Sequence, residues 1–503
     1  MLYNIKENIF LLEIFDEQTN IWWNNTNILD IIIHLTQKYI TENFNIFNIT
    51  IIIKMKLQSL IDKPLELLDF INESLKPKNS EKKKYGEVFT PLSLINEILD
   101  KLPENVWKNP NLKWFDPANG IGNFMVIIYY RLMNSLSIII PNDKLRKKHI
   151  LENMLYMSEI NKKNCYIMNK IFNINNEYSM NIHNGNTLEL NIKTKWNIDN
   201  FDIIVGNPPY NISNEKSTGN TLWQHFVNLS INNFLKNKRY LCFIHPNGWR
   251  KPETTNPKYG NLFELLTKDN QLLYLEIHDI KDGIEKFNCA TRYDWYVLHK
   301  KRIYKNTLIK DETGVLHEIN LSKWTFLPNY LYVTIEKIIT NNRNTSNIIY
   351  NRSNYGADTK HVKHIKNNEY KYPLIHSTPK NGVRYCYSST NNNGHFGIKK
   401  VIFGESGINN AIIDEAGEYG MTQGAMAIPF NNIIEANKIK NAIESKTFQN
   451  ILKACSWSNY RIEWKLFLYF KTNFYDYISD DNIDTIQIKN PKKYRIKLKL
   501  KTK

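Results

Sequence analysis

Through the middle of the chain, short continuous apolar runs alternate with segments whose apolar residues recur at helical spacing. WFDPANGIGNFMVIIYYRLM (Trp114 to Met133) reads as strand, glycine loop and helix, and LYMSEINKKNCYIMNKIF (Leu155 to Phe172) reads as strand, turn and helix. FDIIVGNPPY (Phe201 to Tyr210), RYLCFIHPNGW (Arg239 to Trp249), LYLEIHDI (Leu273 to Ile280) and RYDWYVLHKK (Arg292 to Lys301) are further strands. Strands alternating with helices predict an α/β fold with a mostly parallel sheet covered on both faces. In such a sheet ligands bind beyond the carboxyl ends of the strands. Ahead of this region, LDIIIHLTQKYI and LIDKPLELLDFI have helical spacing, and KPKNSEKKK closes the stretch as a linker or loop. Behind it, from about residue 305, the pattern becomes irregular and rich in Asn, Ser and Gly, and from roughly 350 it suggests a separate α+β domain. The expected division is a helical extension over 1–80, an α/β domain over 81–305, a connector over 306–345 and an α+β domain over 346–503.

Composition changes this picture in three ways. The 503 residues leave room for more than one domain, and 42% hydrophobic with 13% aromatic content argues against wholesale disorder. A net charge of +17 favours a polyanionic partner, although an Asn-, Ile- and Lys-rich surface would produce much of it. Five cysteines lie far apart without a C-x-x-C pair, which disfavours a disulfide framework or a zinc site and points to a reducing compartment. No apolar run reaches the roughly 18 residues of a membrane span, and the first residues lack a signal-peptide cleavage pattern, so a cytoplasmic location is expected. The final KNPKKYRIKLKLKTK reads as a solvated basic tail in preference to an edge strand.

Two loops carry the candidate chemistry. Asn207-Pro208-Pro209-Tyr210 follows the strand from Phe201 directly. An exocyclic base amine is a poor nucleophile because its lone pair is delocalised into the ring. The Asn207 side-chain oxygen and the Pro208 carbonyl are two acceptors able to take its two hydrogens. Pro208 and Pro209 stiffen the turn, and Tyr210 supplies a flat face for a base swung out of its stack. The second loop, Asp116 to Phe124, sits between a strand and a helix, with Gly120 and Gly122 where backbone must pass close to a ligand. Glu159 ends the next strand and has the right chemistry to accept both ribose hydroxyl hydrogens. It lies 39 residues beyond Gly120, against about 20 in a dinucleotide fold, which disfavours a nicotinamide cofactor. Asn186, in the turn HNGNTLEL, is placed to meet an adenine ring amine or simply to form that turn.

The ordered set GEVFTP (Gly86 to Pro91), DPANGIGNF, Glu159, GNTLEL and GNPPY resembles the amino-methylating, N(6)-adenine DNA methyltransferases of restriction-modification systems. The order is that of their gamma type, with cofactor motifs first, the catalytic motif next and target recognition last. The resemblance covers about residues 80 to 300. It implies a Rossmann-like, S-adenosylmethionine-dependent domain with Thr90 and Pro91 near the methionine end of the cofactor. Asp116 and Gly120 would surround the amino acid moiety, with Ala118 and Gly122 in the same loop, Glu159 on the ribose and Asn186 near the adenine. Asn207 to Tyr210 would hold an extruded adenine, and Phe287 falls where the family often sets a second aromatic against the base. Asn119 and Asn186 depart from the family, which usually has a small residue or Cys and an Asp there. No metal is implied. Double-stranded DNA and S-adenosylmethionine are the partners, with a separate restriction endonuclease as a further one.

The region from Lys399 to Phe430 more loosely resembles the DNA target-recognition domains of single-chain restriction-modification enzymes. SWSNYRIEWKLFLYF (Ser456 to Phe470) suggests a short helix pair closing it, and NRSNYGADTKHVKHIK interleaves basic and aromatic residues suited to phosphate contacts. The competing functions are the methyltransferase half of a restriction-modification enzyme, an RNA or protein-glutamine methyltransferase, and a catalytically silent DNA-binding subunit. Glu463-Trp464-Lys465 matches a nuclease E-x-K by its letters only, within an aromatic, helical-looking segment.

Overall fold

The structure is a computed structural model that describes residues 65, 89–173, 176–211, 221–252, 261–340, 348–351, 355, 361–457 and 462–478. The expected N-terminal helices and the basic tail fall outside the described residues, apart from position 65, and so do eight of the sixteen residues from Asn351 to Lys366. The chain divides into two compact units, 1–330 and 331–503.

The first unit is an α/β structure built on a nine-stranded sheet with order β3-β2-β1-β4-β5-β7-β6-β8-β9. Its strands are β1 (Trp114–Asp116), β2 (Leu155–Glu159), β3 (Asn181–Asn184), β4 (Phe201–Gly206), β5 (Leu235–Pro246), β6 (Gln271–His278), β7 (Tyr293–His299), β8 (Thr307–Lys310) and β9 (Leu316–Ile319). From β3 to β5 every pairing is parallel. β7 then enters antiparallel between β5 and β6, so the sheet is mixed. β1, β2 and β4 are buried at every position, as expected of central strands covered on both faces. α1 (Leu92–Leu99) turns Leu94, Ile95, Ile98 and Leu99 inward, and α2 (Asn123–Ser135) buries Phe124 to Tyr129 and Leu132. α3 (Lys162–Phe172), α4 (Trp223–Leu229) and α5 (Ile280–Phe287) follow β2, β4 and β6.

The sheet does not stop at 305. β8 pairs with β6 and β9 with β8, so the stretch expected as a connector supplies the sheet edge. These are four-residue strands with half-exposed patterns, too short to stand out among polar neighbours. The following residues are tied in by Arg250, just beyond β5. Its side chain is fully buried and pairs with Asp294 of β7 at 2.8 Å. It also donates to the carbonyls of Leu327 and Pro328 and to the Asn329 side chain.

The second unit is α+β. One sheet has order β10-β12-β11-β15, comprising β10 (Val362–Lys363), β11 (Tyr372–Ser377), β12 (Arg384–Ser388) and β15 (Gly420–Met421). The other, β14-β13-β16, comprises β13 (Lys400–Gly404), β14 (Gly407–Asp414) and β16 (Ala425–Pro429). α6 (Ile433–Glu444) and α7 (Lys446–Ala454) start at Asn432 and Ser445, whose side chains accept from Glu435 N and Phe448 N. The expected helix pair near the end is instead one 3₁₀ stretch, Trp464–Tyr469, with residues 458–461 outside the described set. Phe448, Phe467, Phe470 and Phe474 pack there ring against ring, and an all-round aromatic cluster needs no helical periodicity.

None of the five cysteines is in a disulfide. Among the described residues, no helix is long and apolar enough to cross a membrane.

Candidate active site

The carboxyl ends of β1 and β4 meet at one pocket. Phe89, Thr90, Asp116, Ala118, Asn119, Gly120, Ile121, Asn123, Phe124 and Asn207 line it. Five of the positions expected at a cofactor or substrate, Thr90, Asp116, Ala118, Gly120 and Asn207, therefore meet although the chain separates them by up to 117 residues.

The glycine loop leaves β1 through Asp116, whose carboxylate accepts from Ala118 N at 3.0 Å. Gly120 (φ 56°) and Gly122 (φ 101°) adopt left-handed conformations, which glycine does without the Cβ penalty. Gly122 is the N-cap of α2, so the loop runs straight into the helix. Glu159, at the end of β2, clamps this loop: Oε2 accepts from Gly120 N and Oε1 from Asn161 N, each at 2.8 Å. Thr187 adds a second tie, donating to Pro117 O and meeting the Ser158 hydroxyl, both at 2.6 Å.

Asp116 is 1% exposed, and burial pushes its carboxyl up to about 8. The Ala118 N–H opposes that rise and the nearby Glu159 charge adds to it. A cation delivered to this pocket offsets the desolvation, so the site favours a ligand carrying positive charge.

Gly206 closes β4 immediately before Asn207. Its φ is 154°, and a Cβ there would meet Asp116 Oδ1 at 2.8 Å. The missing side chain is what lets the glycine loop and the Asn207 turn approach each other. Asn207 Nδ2 donates to Thr90 Oγ1 at 3.3 Å, and Asn123 Nδ2 donates to Thr90 O at 2.9 Å. The side-chain oxygens of Asn207, Asn123 and Asn119 are buried without a partner, and so is the Tyr210 hydroxyl. Burial holds the Tyr210 phenol above its ordinary range, with Cys289 and Asp294 adding to the rise and the Asn207 side chain beside it opposing it. Orphaned polar atoms cost about 1–3 kcal/mol each, so such a cluster marks a place built for something to bind.

Other expected residues lie apart from the pocket. Asn186 caps the 3₁₀ turn Thr187–Glu189, accepting from Leu188 N at 3.1 Å and donating to Glu189 at 2.7 Å. Both ends of its side chain are thus used locally. Phe287 ends α5, 7% exposed, with its ring edge-on to Tyr293 at 4.9 Å. Tyr293 in turn stacks on His278 at 4.4 Å and donates to Asp282. Pro91 is the N-cap of α1, and Pro208 is buried.

Gly206, Asn123 and Thr187 were not singled out by sequence reasoning. A glycine ending a buried strand before a proline turn was a usable signal for Gly206. Asn123 and Thr187 gave none, because only the fold brings them to Thr90 and Pro117.

The clamp makes a quantitative expectation. Glu159→Ala removes the carboxylate that accepts from Gly120 N in the loop and from Asn161 N just beyond β2, and should weaken binding of a ligand held there by about 1.5 to 3 kcal/mol. Glu159→Gln should do nearly as badly, since its amide nitrogen would face one of the two N–H donors. Isothermal calorimetry with S-adenosylmethionine reads both variants, and unchanged affinity would place Glu159 outside the ligand site.

Residues 71–246 match the family described as N-6 DNA Methylase. An "uncharacterized adenine-specific methylase" of Mycoplasma pneumoniae is 28% identical over 341 residues, covering 51% of this chain and 78% of that protein. Among solved structures, the Type IIL restriction-modification enzyme MmeI in complex with DNA has a TM-score of 0.49 at 13% identity, over 77% of this chain and 68% of MmeI. A modification subunit of a putative type I restriction enzyme from Vibrio vulnificus has a TM-score of 0.37 at 15% identity, over 56% of this chain and 55% of the subunit. The chain thus spans about half the length of that subunit.

Proposed function

We propose that this chain transfers a methyl group from S-adenosylmethionine to the exocyclic amine of adenine in duplex DNA, as the modification activity of a restriction-modification system, a reading supported by the match of residues 71–246 to the N-6 DNA methylase family. The observation that carries the reading is the Asn207 carbonyl oxygen: buried, unpartnered and on the wall of the pocket shared by Asp116 and the glycine loop. An acceptor held ready at that point is what a flipped adenine amine requires.

The pocket fits S-adenosylmethionine by its chemistry. Asp116 is a buried carboxyl that a cation would relieve, Asn119 and Asn123 hold free carbonyl oxygens suited to an ammonium group, and Glu159, whose carboxylate holds Gly120 N beside the pocket, keeps acceptor capacity for ribose hydroxyls. When bound, the sulfonium supplies a methyl carbon already activated towards in-line attack. The protein's part is then to position and to localise charge. Asn207 and the Pro208 carbonyl accept the two amine hydrogens, which restores the nitrogen lone pair and aims it. Tyr210 offers its ring to the base face. Positioning of this kind lowers a barrier by several kcal/mol. The amine proton leaves to water after transfer, so no general base is required.

Residues 331–503 are read as the target-recognition unit, with phosphate contacts from lysines and base-edge contacts setting the sequence. Base extrusion and a separate endonuclease partner belong to the same reading.

Long-read sequencing of DNA from cells expressing the full chain, read for modified bases, tests activity, base and target at once. Methyladenine at one short sequence is expected. Modified cytosine, or no modification in a soluble, cofactor-binding protein, would overturn the reading.

A further inference from the structure

We infer that Thr90 is a positioning residue for Asn207: its hydroxyl sets the amide so that the carbonyl oxygen, and not the amino group, meets the target amine. The inference rests on the reading of Asn207 as an amine acceptor. Thr90 is 4% exposed and leads into α1, whereas Asn207 ends the β4 turn, 117 residues further along the chain. The hydroxyl accepts from Asn207 Nδ2 at 3.3 Å. The Thr90 backbone is held in turn by Asn123, the first residue of α2, through a bond of 2.9 Å to its carbonyl.

The two ends of an asparagine amide have almost the same shape and opposite hydrogen-bonding sense. With the oxygen towards the pocket, the base amine finds an acceptor. With the amide turned over, N–H would face N–H, and the lone pair of the base amine would stay in the ring. A single neutral hydrogen bond contributes little to stability, but here it selects between a productive and a blocked site. In the structure the Thr90 hydroxyl oxygen is the acceptor and Asn207 Nδ2 the donor, and Asn207 Oδ1 is the end left without a partner. Anchoring by Asn123 keeps the Thr90 oxygen at one point, so the Asn207 oxygen stays where the amine arrives.

The test compares Thr90→Val and Thr90→Ser in the full chain, on a duplex containing the target established by methylation mapping. Val has the volume of Thr and cannot accept a hydrogen bond; Ser keeps the oxygen. Single-turnover methyl transfer at saturating cofactor and DNA, the affinity for S-adenosylmethionine and the affinity for DNA are measured for each. Thr90→Val should lower the transfer rate about ten- to a hundredfold, as misplacement of a positioned group does. The affinity for DNA should stay within about twofold of wild type, and Thr90→Ser should recover most of the rate.

A Thr90→Val variant that transfers at the wild-type rate overturns the inference. So does a rate that returns to the wild-type value once the cofactor is raised to saturation, which would make Thr90 a cofactor contact alone. A Thr90→Ser variant as impaired as Thr90→Val would assign the effect to packing. If the wild-type chain methylates no adenine, the functional reading fails and takes this inference with it; an active wild type with an unimpaired Val variant overturns the inference alone.

Discussion

Asn207→Ala should abolish nearly all methyl transfer while leaving S-adenosylmethionine binding within about twofold of wild type. Removing one preorganised group that acts only as charge develops costs on the order of 10²- to 10³-fold in rate. Here the lost acceptor is also one of the two that localise the amine lone pair. The cofactor side should not notice, because Gly120 and Asn161 are held by Glu159 and Ala118 by Asp116, none of them through Asn207. Tritium transfer to an unmodified duplex beside a cofactor titration measures the split. The orphaned oxygen adds an independent signature: an unpartnered buried acceptor is a burden on the folded protein. The Ala variant should therefore unfold at the wild-type temperature or above it. Near-normal turnover would refute the mechanism, and a large loss of stability would mean that Asn207 is structural.

The second large effect concerns stability. Arg250→Met should destabilise the first unit by about 3–5 kcal/mol, the cost of leaving a buried charge without its partner. Both side chains of the Arg250–Asp294 pair have 0% exposure, and Asp294 would keep only the Trp249 indole N–H, at 2.9 Å. The carbonyls of Leu327 and Pro328 and the Asn329 side chain would lose their donor as well. The double variant Arg250→Met with Asp294→Leu should recover part of the loss, because it removes the uncompensated charge but does not restore the guanidinium bonds to Leu327, Pro328 and Asn329. Differential scanning calorimetry on the three proteins decides the point. A single variant as stable as wild type would show that the pair contributes nothing net.

Much of the first unit was legible in advance because its strands are buried on both faces and so read as unbroken apolar runs. Ile203 to Val205 and Leu155 to Met157 are of this kind, and both lie in central strands. The glycine loop was legible for a different reason: Gly120 and Gly122 occupy left-handed conformations that most residues avoid, so their type carries positional information. β8 and β9 were not legible. At four residues each, with alternating half-exposed positions, they become strands only through pairing with an existing sheet edge. Asn186 shows the limit at the level of a side chain: its place after the third strand was foreseeable, whereas its commitment to a cap at Leu188 N was not.

By itself the sequence determined the alternation of strands and helices, the position of the two loops at strand ends, and the residue types each loop presents. Those are local properties, set by periodicity, by backbone preference at Gly and Pro, and by the donors and acceptors that each side chain carries. Only the tertiary structure decided that Thr90, Asp116, Asn123 and Asn207 share one pocket. It also decided that Glu159 closes on the glycine loop, and that the Asn207 oxygen is the end of the amide left free. These depend on the pairing of β1 with both β2 and β4 and on the absent side chain at Gly206. A carboxyl pushed up to about 8 and an unpartnered carbonyl are likewise consequences of burial, which is a property of the assembled neighbours and not of the residues in line.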